Sequence, residues 1–140
     1  MKKISNKILT IVLVLAIGVL IIPHLVPDSV MSPTQNTPLD PHKPTLFFFM
    51  NPKGTPCLLQ KKLLDGVTPQ IEQIVNIRFA KVTEDADQEL FYKYGIRGLP
   101  SLILVDSAGA EIHRFSSGIH QGKTVVDEIN ATLQQERVTK

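Results

Sequence analysis

Tyr94-Gly95-Ile96-Arg97-Gly98-Leu99-Pro100-Ser101-Leu102 lies between two different hydrophobic patterns. Upstream, Asp85 reads as the cap of a helix running to about Tyr94, with Leu90, Phe91 and Tyr94 on its inward side. Downstream, Ser101 to Val105 is a short apolar strand. Asp106-Ser107-Ala108-Gly109 is a turn, and Ala110 to Phe115 pairs back across it. Gln121 to about Gln135 closes the chain as a helix with Val125, Val126, Ile129 and Leu133 on one face.

Working further back, Leu46-Phe47-Phe48-Phe49-Met50 is a continuous apolar run that suits a strand buried on both faces. Asn51-Pro52-Lys53-Gly54-Thr55-Pro56 is a turn. A helical pattern follows from Cys57 through Leu64, with Cys57, Leu58, Lys61 and Leu64 assigned to one face. Asp65-Gly66 ends or bends it. Thr68-Pro69 reads as an N-cap with proline at the first helical position, restarting a helix through Val75. Ile77 to Val82 alternates as a strand. The order is strand, helix, strand, helix, strand, strand, helix. It predicts an α/β domain over 45–136, a mixed four-stranded sheet flanked by helices. Helices between the early strands imply parallel pairing, and the short turn makes the last pair antiparallel.

The loop from Tyr94 to Leu102 closely resembles the thioredoxin-family loop Tyr-Gly-Ile-Arg-Gly-Ile-Pro-Thr-Leu. Phe49 to Cys57 occupies the place of that family's strand, Trp-Cys-Gly-Pro-Cys turn and helix. The resemblance covers the domain at 45–136 and implies a thioredoxin-like fold without the family's extra N-terminal strand and helix. It also implies a cis bond before Pro100, facing the active-site turn. The backbone of Leu99 is then the edge that pairs with an extended substrate peptide. On the residues alone, Pro100 is an ordinary proline opening a strand.

Thiol–disulfide exchange needs a thiolate nucleophile, a disulfide to attack and a way out of the mixed disulfide. Matched to the family's Cys-x-x-Cys, this chain has Gly54 in the first position, then Thr55 and Pro56, then Cys57. The attacking sulfur is absent and the resolving sulfur remains. The family's Trp before the first Cys is Lys53 here, and the buried acid of the preceding strand falls on Phe48. Lys81 matches the family's lysine partner of that missing acid. Lys53 is a candidate thiolate stabiliser, or else an exposed turn residue. Three readings of Cys57 stand open. It is a small buried hydrophobe, a monothiol forming mixed disulfides that an outside thiol resolves, or one half of an intermolecular disulfide. The binding candidates are Gly54, Thr55, Pro56, Leu99 and Pro100. The expected function is thiol–disulfide handling through a single Cys. The alternative is a non-redox peptide- or protein-binding module that keeps a structural Cys.

Composition narrows the rest. The chain has 140 residues and one Cys. It therefore holds one ordinary domain, no internal disulfide and no thiolate-based zinc site. His42, His113 and His120 have no metal-ligand spacing with one another, so no metal and no cofactor is expected. Glu84-Asp85-Ala86-Asp87 is explained by a helix start, where acids complement the dipole. Gly54, Gly98 and Gly118 are read as backbone permission rather than phosphate cradles. Of 15 Lys+Arg, Lys2, Lys3 and Lys7 lie in the first seven residues, which leaves 12 basic against 13 acidic residues in the remainder. A folded part with no basic excess argues against nucleic acid as a partner.

Ile8 to Val26 holds 19 residues, 15 of them apolar and none charged, close to the length of a bilayer span. Positive charge flanks its N-terminal side, which places residues 1–7 in the cytoplasm and the domain outside, in a periplasm-like space. A cleaved signal is the competing reading, but no Ala-x-Ala pattern follows the run. Pro27 to Pro44 holds five prolines in 18 residues, a spacer of extended backbone. The expected partners are the lipid bilayer, through residues 8–26, and an extracytoplasmic protein or peptide with or without cysteines.

Overall fold

The computed structural model describes residues 38–139. The expected tail at 1–7, the apolar segment at 8–26 and the linker up to residue 37 lie outside the described residues. Among the described residues, no helix is long and apolar enough to cross a membrane.

Strand β1 (Thr45–Met50) is buried at all six positions. Side chains alternate across a strand, so its two faces feed two cores. Leu46, Phe48 and Met50 point into one cluster with Cys57, Leu64, Ile71, Val75, Leu102, Leu104, Phe115, Val125 and Ile129. Phe47 and Phe49 point into the other with Ala80, Tyr94, Ile103 and Val105. Each fully buried side chain of this size contributes about 1.5–3 kcal/mol.

Around β1 the chain builds α1 (Thr55–Asp65), α2 (Thr68–Ile71), β2 (Asn76–Lys81), a 3-10 turn at Asp85–Asp87, α3 (Gln88–Lys93), β3 (Ser101–Val105), β4 (Glu111–Arg114) and α4 (Gly122–Val138). The sheet order is β2-β1-β3-β4. β1 pairs parallel with β2, Phe48 opposite Phe79, and antiparallel with β3, Phe48 opposite Leu102. β3 pairs antiparallel with β4. The expected four-stranded mixed sheet is present. The parallel rule holds only for β1 and β2, because the chain after α3 lands on the far edge of β1 and runs back against it.

Four local expectations are corrected. Helix α1 starts at Thr55, and its buried residues are Cys57, Gln60 and Leu64. Leu58 lies about 100° round the helix from Cys57 and is 49% exposed. Thr68 sits inside α2 rather than capping it, and its hydroxyl donates to the Leu64 carbonyl at the end of α1 (3.0 Å). The helix it opens stops at Ile71 instead of Val75. Asp85 opens only a 3-10 turn. The structural acid is Asp87, whose carboxylate accepts from the Lys81 amide at 2.8 Å and the Arg78 guanidinium at 3.4 Å. Finally, the last part of the linker is not a free spacer. Asn76 holds it, donating to the Asp40 carbonyl (2.8 Å) and accepting from the Asp40 amide (3.0 Å).

Two contacts fasten α1 to the segment leading into α4. The Gln60 side chain is fully buried. Its amide accepts from His120 N at 2.7 Å and donates to His120 O at 3.1 Å. A buried amide is stable only when so paired. Next to it, Gly122 lets the helices approach closely. A Cβ there would lie 2.7 Å from the Leu63 carbonyl and 2.8 Å from Val67 Cγ1.

In urea melts, Gln60→Leu should lose about 1–3 kcal/mol, because the His120 amide and carbonyl lose their partner. Gly122→Ala should lose about 1–3 kcal/mol through overpacking. Gly66→Ala is the control. Gly66 has helical backbone, and a Cβ there would lie in ordinary van der Waals contact with the Leu63 carbonyl, at 3.6 Å. It should be neutral or gain about 0.4–1 kcal/mol. Equal midpoints for all three would refute this account of the α1–α4 junction.

Candidate functional site

The chain leaves β1 at Met50 and turns at once into α1. Asn51 organises that turn with three groups. Its carbonyl accepts from Gly54 N (3.0 Å), its side-chain Oδ1 accepts from Lys53 N (3.0 Å), and its amide donates to Cys57 Sγ (3.3 Å). Gly54 is the N-cap of α1, with extended backbone and no side-chain cap. Pro56 lies in the first turn, where a missing N–H costs nothing. Cys57 follows, in the first turn of an eleven-residue helix. The positive end of the helix and the Asn51 N–H both face its sulfur.

Cys57 is 1% exposed and packs in the core with Phe48 and Met50. Phe48 fills the place expected for it, edge-on to Phe79 at 5.7 Å between ring centres. No carboxylate stands there. Lys81, the expected partner of such an acid, pairs instead with Glu84 at 3.8 Å. Lys53 is exposed, and only its backbone amide is engaged in the turn. No hydrogen bond or ion pair joins its ammonium group to Cys57 among the described residues.

The glycine at the family's first cysteine position has a measurable consequence. A Cβ on Gly54 would lie 3.6 Å from Cys57 Sγ, with Asn51 Cβ at 3.4 Å and the Asn51 carbonyl at 3.5 Å. All three are ordinary van der Waals distances. Gly54 has φ −86°, which any residue adopts. The glycine is thus not required by backbone conformation, and neither is Gly98. Of the three glycines read as backbone permission, only Gly118, at φ +127°, needs to be glycine.

The loop from Tyr94 to Pro100 comes up beside this turn. The Leu99–Pro100 bond is cis. Arg114 fixes the start of the loop by donating to the Tyr94 carbonyl (2.7 Å), and the Tyr94 hydroxyl donates to the Gly109 carbonyl (3.1 Å). The Ser101 hydroxyl donates to the Gly98 carbonyl (2.8 Å) and holds its end. The Leu99 side chain packs against both cores. Its backbone N–H and C=O pair with nothing among the described residues. An open groove of about 560 Å³ runs along this edge, lined by Pro56, Arg97, Gly98, Leu99 and Pro100 together with Phe115, Ser117, Gly118 and Ile119. Of the binding candidates, Pro56, Leu99 and Pro100 line this groove, and Gly54 and Thr55 do not. Cys57 lies behind Pro56, outside the lining.

Three contributors escaped the sequence reading. Asn51 shows only as a turn residue, although Asn-Pro before a helix is a signal for a side-chain-closed turn. Gln60 looks like a solvated helix position and is buried only because the 118–121 segment folds over it. Phe115 lies at the end of a strand whose neighbours gave no cue to a groove.

Neither a protein-family model nor a curated protein matches the chain. Solved structures do. A thioredoxin-like protein from Clostridium perfringens is 23% identical, with a TM-score of 0.57 over 65% of this chain and 71% of that one. A DsbH oxidoreductase is 18% identical, with a TM-score of 0.58 over 66% and 74%. A thioredoxin-fold protein from Helicobacter pylori is 16% identical, with a TM-score of 0.55 over 64% and 68%. With this strand order, the cis Leu99–Pro100 bond and these likenesses, the domain has the thioredoxin fold.

Proposed function

We propose that this is a thioredoxin-like protein of thiol–disulfide handling, in which the groove at Leu99–Pro100 holds an extended peptide and Cys57 exchanges disulfides with it. The observation that carries the reading is the geometry at Gly54. Where the family's attacking sulfur would stand, this chain has no side chain, and a substituent there would be in contact with Sγ. A sulfur on a bound peptide can take that place. The step balances as a simple exchange. The Cys57 thiol gives its proton to solvent, the thiolate attacks one sulfur of a partner disulfide, and that S–S bond breaks. The other sulfur leaves as a thiolate and is protonated by water. A second, external thiol then attacks the mixed disulfide and frees Cys57.

A second reading is favoured by a specific observation. Cys57 is 1% exposed and its sulfur already accepts an N–H. This suits a structural thiol in a module that binds peptides without redox turnover. The two readings differ in rate. In the first, a peptide bearing an activated disulfide reacts with the folded chain at least as quickly as with the urea-unfolded chain. Filling the groove by Gly98→Trp should slow that reaction, since Gly98 lines the groove, a Cβ there meets nothing within 4 Å, and its backbone needs no glycine. A folded rate more than about 100-fold below the unfolded one, set by local opening and indifferent to Gly98→Trp, leaves only the non-redox module.

Gly54→Cys should restore a dithiol. Its Cβ position relative to Cys57 Sγ suits a disulfide after a small adjustment of the turn. Mild oxidation should remove both free thiols, and a reductant should then drive turnover of a disulfide substrate. Closure without turnover would assign the lost activity to Phe48 and Lys53 as well as to the missing sulfur.

The proposal retains the apolar run at 8–26 as a bilayer anchor holding the domain outside the cytoplasm. It is supported by 15 apolar residues in 19 and by the N-terminal lysines. The full chain should stay with membranes through alkaline washing, and added protease should reach the domain only from the extracytoplasmic side. Release into the wash as a shortened chain would instead support cleavage.

A further inference from the structure

We propose that the groove selects extended peptides carrying an acidic side chain, and that Arg97 is the residue that selects them. The inference rests on the groove reading given above and adds the chemical class of its occupant.

The argument is one of uncompensated charge. Two guanidinium groups border the groove, from Arg97 and Arg114. Arg114 is already satisfied. Its guanidinium makes two hydrogen bonds to the Glu111 carboxylate and one to the Tyr94 carbonyl. Arg97 is exposed and has no hydrogen bond or ion pair among the described residues. The groove is lined by no Asp or Glu. This cationic edge belongs to a folded part with no basic excess, since basic and acidic residues after residue 7 number 12 and 13. The lining is thus positive although the folded part as a whole is not.

Arg97 also sits at a useful place. It is two residues before Leu99, whose N–H and C=O are the free edge for strand addition. The loop from Ile96 to Pro100 is irregular backbone, and Arg97 and Leu99 line the same groove. A peptide bonded to the Leu99 backbone therefore passes along the guanidinium, whose planar fork donates to a carboxylate. The groove also has an apolar lining, from Pro56, Phe115 and the 43%-exposed Ile119. The occupant is an extended segment with an apolar residue for that lining and Asp or Glu for Arg97.

The test is a random octapeptide array probed with the full chain in a non-ionic detergent, repeated with Arg97→Gln, Arg97→Glu and Gly98→Trp. Wild type should retain peptides enriched in Asp and Glu over Lys and Arg at one position. A matched Glu peptide should bind about fivefold better than its Lys counterpart, as expected for an exposed pair turned from attraction to repulsion. The preference should vanish in Arg97→Gln and invert in Arg97→Glu, and it should weaken at high salt. Gly98→Trp should lose all groove-bound peptides. Peptides that bind, are displaced by Gly98→Trp and show no acidic preference would overturn the role of Arg97 and leave the groove reading intact. No peptide retained above the Gly98→Trp background would overturn both.

Discussion

Burial of β1 on both faces is the constraint on which the domain rests. A strand reading Thr-Leu-Phe-Phe-Phe-Met has no polar face to offer water, so it must lie in the middle of the sheet with helices over each side. Leu46, Phe48 and Met50 draw α1 and α4 onto one face. Phe47 and Phe49 draw α3 and Tyr94 onto the other, where the rings meet at centre distances of 5.1–6.1 Å. The end of this strand is also where the site lies. The chain leaves the sheet at Met50 and must turn sharply to bring Cys57 back under Phe48. Asn51 makes that turn possible by satisfying its amides within a few residues.

The same packing defines what the site can do. A carboxylate at the position of Phe48 would offer the sulfur a proton acceptor. Phe48 offers only apolar surface, and Lys81 turns to Glu84 at the protein surface. What remains around Sγ is the helix N-terminus, one N–H and the open side of Gly54. The reactive inventory is small, one sulfur, and the binding inventory beside it is larger. A free backbone edge, a proline held cis and a cationic rim form a groove that does not require the sulfur. The redox and non-redox readings share that groove and part only at Cys57.

The likeness to solved structures bears on the scaffold. At 13–23% identity and TM-scores of 0.55–0.58, solved structures share the fold over about two thirds of the chain. Function must then be argued from the groups at Gly54, Cys57, Arg97 and Leu99, because one fold supports many chemistries.

The sequence by itself determined the strands and the turn that leads to Cys57. Period and punctuation are local properties, so the apolar run at 46–50, the turn that follows it and the strand at 101–105 are legible without tertiary information. The loop from Tyr94 to Leu102 carried the family likeness, and with it the cis bond at Pro100. Helix faces were less legible. Leu58 looks like a core residue and is exposed, while Gln60 looks solvated and is buried, because what covers a helix is a segment sixty residues away. Strand direction also lay beyond local reading. The chain between α3 and β3 does not reveal which edge of β1 it will reach, so antiparallel pairing of β1 and β3 could only be decided by the assembled sheet. The fate of Cys57 belongs to the same class. A thiol two residues into a helix is exposed or buried according to what packs on it, and here Phe48 and Met50 from the central strand close over the sulfur.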